Sequence, residues 1–229
     1  MALFAIADLH LSLASDKKMD VFPGWENYVE KIEQHWRTLV SDDDTVVIAG
    51  DVSWGMSLEE ALEDFLWIHR LPGKKLIIKG NHDYWWSTVT KMQRFLIEHG
   101  IDDIALLNNN AYLVDGIAVC GTRGWFYEEN EGPDRKVLLR EAMRLETSIC
   151  EAEKNGGVPV AFLHYPPIWG NTICHEILEV LKAHKIERCY FGHIHGEYAR
   201  RMPMPVVEGM KLSLISADYL RFVPVRVSV

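Results

Sequence analysis

The sequence predicts an α/β fold with two sheets, on three observations. Short β-branched runs each end in a polar cluster, segments with helical apolar spacing separate them, and from Ile104 onward the runs become closely spaced. The run ALFAIA opens the chain and stops at Asp8. It lacks the basic residues that precede the apolar core of a signal peptide, so it reads as a buried first strand and the chain as cytoplasmic. Helical spacing over 25–40 follows, then the strand TVVIAG before Asp51. Positions 57–71 are again helical, with Ser57 and Glu60 at the spacing of a capping box. KLIIKG ends before Asn81 and leads into a helical segment over 87–99. AYLVDG and IAVCGT are the first closely spaced pair, and Pro133 suits the first turn of a helix over 133–154. VPVAFL ends before His164, the segment 172–184 is helical, and RCYFG ends before His193. The final stretch, 206–229, returns to close strand spacing with LSLISADYLRFVPVRVSV. Strand–helix alternation predicts parallel sheet, right-handed crossovers and loops gathered at the carboxyl ends of the strands. The closely spaced runs predict a second, more antiparallel sheet. No fixed-period repeat or Gly/Ser linker divides the 229 residues, so a single domain over 1–229 is expected.

Composition removes several classes of function. Hydrophobic residues make up 48% of the chain and charged ones 25%, which suits a folded core rather than disorder. No apolar run approaches the roughly 20 residues of a membrane span. The four cysteines, Cys120, Cys150, Cys174 and Cys189, form no C-x-x-C pair, which argues against a zinc knuckle, a thioredoxin-like site or a disulfide framework. Lys and Arg total 24 against 33 Asp and Glu, a net charge of -9, with no basic cluster to track a phosphate backbone. Duplex nucleic acid is therefore not an expected partner, although bound cations can supply positive charge that side chains do not. Neither the G-x-x-x-x-G-K-[ST] loop nor the G-x-S-x-G elbow occurs.

Five short clusters follow the predicted strands in order: Asp8-Leu9-His10, Gly50-Asp51, Gly80-Asn81-His82-Asp83, a lone His164, and Gly192-His193-Ile194-His195. Singly, each has an ordinary reading as a surface turn, a helix cap or a core histidine. Together, at successive strand ends, they point to metal. A carboxylate and an imidazole at i and i+2 of an extended segment project to the same side, so Asp8 with His10, and His193 with His195, are placed to grip an ion. Imidazole and carboxylate donors without cysteine favour Mn, Fe, Co, Ni or Zn over Ca or Mg. Glycine precedes three clusters, as expected where a chain turns sharply beside a charged centre.

The ordered set resembles the calcineurin-like metallophosphoesterase family, whose pattern runs D-x-H, G-D, G-N-H-[DE], a lone His and G-H-x-H. The resemblance spans Asp8 to His195. It implies a four-layer α/β/β/α sandwich with two mixed sheets, and a hydrolase with two divalent transition-metal ions. Carried across, Asp8, His10 and His195 would bind one ion, Asn81, His164 and His193 the other, and Asp51 would bridge them. His82 would face the substrate and donate a hydrogen bond or proton, with Asp83 fixing its orientation and favouring the charged imidazole. The reaction implied is in-line attack of a metal-bound hydroxide on the phosphorus of a diester or monoester of a small molecule.

Around the motifs, Trp54, Trp85, Trp86 and Trp169 are candidates to wall a pocket, and Arg123, within Gly121-Thr122-Arg123-Gly124-Trp125-Phe126, is a candidate to fork onto a substrate phosphate. The plainer alternative packs the tryptophans into loops and pairs Arg123 with a carboxylate. His35, His69, His99, His175 and His184 read as structural or surface residues, and the acidic run 128–131 as a solvated face. Competing functions are a nuclease on single-stranded ends, a phosphoprotein phosphatase and a non-catalytic docking scaffold. The sequence leaves the oligomeric state open.

Overall fold

The computed structural model describes residues 1–125, 135–201, 206–207 and 209–229. Phe126, the acidic run 128–131 and Pro133 lie outside the described residues. The first sheet contains β1 (Leu3–Ile6), β2 (Thr45–Ala49), β3 (Lys74–Ile78) and β4 (Ile104–Leu106), all parallel, with β13 (Val225–Arg226) antiparallel on β1. The second has a parallel centre of β6 (Ile117–Thr122), β7 (Val158–Leu163), β10 (Arg188–Phe191) and β12 (Met210–Leu214). Its edges, β5 (Tyr112–Val114) on β6 and β11 (Val206–Val207) on β12, are antiparallel. A small hairpin pairs β8 (Ile168–Trp169) with β9 (Thr172–Ile173).

Both sheets are thus mixed, and among the described residues the second is the more antiparallel, with two antiparallel pairings of five against one of four in the first. Its close-spaced runs supply antiparallel edges to a parallel centre, and β13, expected in the second sheet, closes the edge of the first.

The strands are buried along continuous runs because each sheet is covered on two faces. Between the sheets, Ala5, Val47 and Leu76 meet Val119, Val160 and Phe162 in one apolar cluster. Outside the first sheet, Ile6, Ile48 and Ile77 pack with side chains of α1 (Tyr28–Leu39), α2 (Leu62–His69) and α3 (Val89–Glu98), among them Trp36, Phe65 and Met92. Outside the second, Cys120, Leu163 and Phe191 pack against Leu145 of α4 (Arg135–Asn155) and Leu181 of α5 (His175–Ala183). The order is helix, sheet, sheet, helix.

Helix boundaries depart from the sequence reading for local reasons. The Ser57 Oγ does accept from Glu60 N (3.2 Å), but 57–61 form turns and α2 becomes regular only at Leu62. Thr172 and Ile173 belong to the β8–β9 hairpin, so α5 starts at His175. A short α6 (Gly196–Arg201) follows the last motif.

The carboxyl ends of β1, β2 and β3 meet those of β7 and β10 at one rim. Main-chain bonds hold it closed: Asp8 N donates to Gly50 O (2.9 Å), Gly192 N to His164 O (3.1 Å) and Ala7 N to Ile215 O (2.8 Å).

Candidate metal centre

Three of the five motifs leave their strands through a backbone conformation that ordinary residues avoid. Asp8 (φ 60), His10 (φ 47), Asp51 (φ 50) and His193 (φ 72) are all left-handed, a region costing about 1–3 kcal/mol for a residue with a side chain. The side chains therefore converge through tight reversals and not through the two-residue alternation of an extended strand. Gly80 and Gly192 answer to space: a Cβ at Gly80 would strike the Asp51 carboxylate, and one at Gly192 the Asp8 carboxylate and Ala7.

All seven expected ligand side chains come together. On one side, His195 Nε2 lies 3.3 Å from Asp8 Oδ1 and 3.4 Å from His10 Nε2, and His10 Nε2 lies 3.8 Å from Asp51 Oδ2. On the other, Asn81 Oδ1 is 2.6 Å from His164 Nε2 and 3.0 Å from His193 Nδ1, while His164 Nε2 is 3.5 Å from the same Asp51 Oδ2. Donors sharing an ion at bond lengths of about 2.0–2.2 Å stand about 3.0–3.5 Å apart. Both groups fit a small divalent ion, and Asp51 belongs to both.

The outward nitrogens are already committed. His195 Nδ1 donates to Asp218 Oδ1 (2.8 Å), whose other oxygen accepts from Gly196 N (2.8 Å), and His164 Nδ1 donates to Ala49 O (3.1 Å). These bonds fix each ring with Nε2 facing inward, the usual support of a metal-ligating histidine. In neutral His164 that leaves the Nε2 lone pair against the Asn81 carbonyl oxygen, an arrangement that calls for a cation.

Charge makes the same demand. Asp8, Asp51 and Asp83 are each at most 1% exposed. Burial works to raise the Asp8 carboxyl, but the charge and hydrogen bond of His195, then His164 and His10, outweigh it and hold Asp8 well below the ordinary range. Asp51 moves the other way, to about 8, through burial and the nearby Asp8 charge. Burial opposes charge on His195, but Asp8 and Asp218 lift it to about 10, so a proton there supplies part of the positive charge that the carboxylates demand. Burial holds His10 and His193 near 3, leaving their lone pairs available at neutral pH.

His82 reaches the rim half-buried, with its main-chain N–H donated to Asp51 Oδ1 (2.8 Å) and its ring 4.5 Å from the Trp54 ring. Two expectations for it are corrected. Asp83 makes no bond to the His82 ring, which lies 3.4 Å from the Tyr84 hydroxyl. Burial, then the charge of His164, lowers the His82 pKa and favours the neutral ring. Asp83 instead accepts from Gly80 N (2.6 Å), Val52 N (2.8 Å), Asp51 N (3.0 Å) and Trp85 Nε1 (3.0 Å), so it clamps the two loops together.

That bond also settles Trp85, which is 3% exposed and packs edge-on against Phe65 instead of facing a ligand. Trp169 is likewise buried, between Phe191 and Tyr198. Trp54 does flank the centre, stacked 5.0 Å from the His10 ring. Trp86 and Arg123 line a neighbouring cavity, where Arg123 approaches Glu141 at 3.5 Å.

Sequence reasoning missed Asp218, Trp25 and Tyr28. Tyr28 Oη donates to His10 O (2.9 Å), and the Trp25 ring lies 5.8 Å from those of His10 and His195. None sits in a motif, and only the fold brings them to the rim.

A model of the calcineurin-like phosphoesterases matches residues 1–197. The chain belongs to that family. Membership implies divalent metal ions, in keeping with the donor sets above. The Gene 66 protein of Mycobacterium phage L5 is 34% identical over 84 residues, a match covering 34% of this chain and 37% of the phage protein. Solved structures show the same fold at low identity. TT1561 of Thermus thermophilus superposes with a TM-score of 0.60 at 11% identity, over 99% of this chain and 97% of its own. AQ665 from Aquifex aeolicus, a protein of unknown function, gives 0.55 at 15%, over 98% and 95%. Phosphopantetheinyl Hydrolase (PptH) from Mycobacterium tuberculosis gives 0.53 at 13%, over 99% and 95%.

Proposed function

We propose that the chain is a dinuclear-metal phosphoesterase that hydrolyses a phosphate diester or monoester of a small molecule. Asp8, His10 and His195 hold one ion, Asn81, His164 and His193 the other, and Asp51 serves both. One observation carries this reading: two sets of inward-facing donors share the Asp51 carboxylate. A relative described as a phosphopantetheinyl hydrolase on the same fold supports a phosphate-ester bond as the target. The buried, unpaired Cys120, Cys174 and Cys189 suit a cytoplasmic enzyme, and the cluster shared by both sheets suits one catalytic domain over 1–229.

When bound, the ions supply Lewis-acid polarisation of the phosphate and a nucleophile generated from water near neutral pH. The protein's part is positional. Asp218 and Ala49 keep His195 and His164 from rotating, and Asp83 locks the loop of Asn81 to that of Asp51. His82 presents a ring N–H to the phosphoryl or leaving-group oxygen, where negative charge grows. A cavity of about 710 Å³ opens beside His195 and Asp218, and its walls at Met19, Phe22, Pro23 and Trp25 give an apolar leaving group a place to lie.

Hydrolysis of bis-(p-nitrophenyl) phosphate and p-nitrophenyl phosphate, after EDTA treatment and return of Mn, Fe(II), Co, Ni, Zn or Mg in turn, tests the reading. Activity should follow the returned metal and fall by about three orders of magnitude in Asp51→Asn, as for loss of a group that acts mainly in the transition state. The ratio of the two rates selects diester or monoester. Failure to bind any metal would overturn the assignment.

A further inference from the structure

A second cavity, of about 460 Å³, lies where the carboxyl ends of β3 and β6 face each other. Lys79, Arg123 and Arg144 all line it, against the single carboxylate of Glu141. Glu141 is 1% exposed and fully engaged: it accepts from Thr122 Oγ1 (2.7 Å) and Arg144 Nη1 (2.6 Å), with Arg123 Nη2 at 3.5 Å. Its role in the wall is to hold two guanidinium groups side by side. Three cations against one carboxylate leave a local surplus of two positive charges, in a chain whose net charge is -9.

Among the described residues the surplus has no internal partner. The Lys79 side chain makes no hydrogen bond or ion pair among the described residues. The Arg123 Nε is buried and meets no acceptor among the described residues. Buried donors and unbalanced charge of this kind are costly unless a ligand completes them. The remaining wall suits the same ligand. Ser87 and Thr88 contribute hydroxyls, and α3, ten residues long, begins at the cavity with Thr88 as its cap. A helix N-terminus adds partial positive charge and N–H donors.

We infer that this cavity is a phosphoryl-binding subsite, distinct from the metal centre and adjacent to it. Lys79 is two residues from Asn81, hence within about 7.6 Å between Cα atoms. Arg123 O accepts from both His164 N (3.1 Å) and Tyr165 N (2.9 Å), so the two sites share a wall. The phosphoryl group has two available sources: a second phosphate on the substrate, a choice that rests on the function proposed above, or free phosphate acting as an effector.

The test is titration of inorganic phosphate into the full chain by calorimetry, metal-loaded and EDTA-treated, for wild type, Lys79→Met and Arg144→Gln. Circular dichroism and melting temperature establish that each variant is folded. EDTA-treated wild type should bind one phosphate, and each variant should weaken that binding by about tenfold or more, as for loss of a charge-assisted bond. No binding to the EDTA-treated protein, or equal binding by folded variants, would overturn the subsite. Phosphate binding in a chain that takes up no metal would support the subsite while sinking the hydrolase. Phosphate release from adenosine 3′,5′-bisphosphate and adenosine 5′-monophosphate separates the sources. A substrate phosphate predicts that the variants raise KM for the bisphosphate about fivefold or more relative to the monophosphate. An effector predicts no change in that ratio, but a Lys79-dependent response of monophosphate turnover to added phosphate.

Discussion

Two polar networks, each built on buried carboxyl groups, share the rim of this fold and are unbalanced in opposite senses. Around Asp51, three buried carboxyl groups meet His10 and His193 held neutral, and the proton on His195 still leaves the network short of positive charge. Around Glu141, three cations crowd one carboxylate, and the network lacks negative charge. A third network lies at the opposite, amino end of β3. There the fully buried Lys75 donates to Asp103 Oδ2 (2.5 Å) and to Leu71 O, and Asp103 Oδ1 meets His69 Nδ1 (2.6 Å). That network closes on itself. Burial of charge is therefore not what marks a ligand site in this molecule. An uncompensated remainder is, because desolvated charge without a partner is far costlier than a matched pair.

The sharpest way to break the comparison is to change one member of each network. Asp51→Asn removes a carboxyl whose ionisation burial and the Asp8 charge already oppose, so the EDTA-treated variant should be at least as stable as EDTA-treated wild type while losing the stabilisation that added metal gives. Urea denaturation with and without Mn measures both; a large loss of stability without metal would mean that the acid cluster is self-sufficient. Lys75→Met opens a matched pair. It should cost about 2–3 kcal/mol with or without metal, at the lower end for a broken buried pair because His69 still serves Asp103. Metal affinity should be unchanged. Next in size is Asp218→Asn, which leaves the inner donors in place but loosens the His195 ring. Metal affinity should fall by about 10–100-fold, read by competition with a chromophoric chelator, with little change in unfolding of the metal-free protein.

The centre was legible in the sequence where its chemistry is carried by residue type. Asp8, His10, Asp51, Asn81, His164, His193 and His195 stand at strand ends, and the fold gathers all seven. What the sequence does not carry is the path by which they meet. Left-handed backbone at Asp8 or His193 has no signature in a residue that is not glycine, since tertiary bonds such as Asp8 N to Gly50 O impose it. Asp218 is one carboxylate among 33 acidic residues until Gly196 and His195 turn toward it. Asp83 departs from its expected role for a related reason: proximity in sequence suggests His82, but its five donors come from both loops. Sheet membership of β13 was equally hidden, because an apolar run of that length pairs with either sheet and only the free edge of β1 decides.

The smallest expected effect concerns the neutral counterpart of these networks. Cys120 is fully buried on the outer face of the second sheet, and burial pushes its thiol from an ordinary value of 9.0 up to about 12. Its folded-state pKa is raised, so between pH 9 and 12 the unfolded chain has lost a proton that the folded chain keeps. Stability from this group is then intact below pH 9 and declines above it, by about 1.4 kcal/mol at pH 10. Other groups titrate in the same range, so the quantity to measure is the difference between wild type and Cys120→Ala in urea midpoint at pH 8, 9 and 10. Cavity formation makes the variant less stable at pH 8, and the gap should narrow by about 1 kcal/mol at pH 10 as the thiol's proton preference stops favouring wild type. A gap independent of pH would mean that water or a cation reaches Cys120. The outer face of the second sheet would then be as open to charge as its rim.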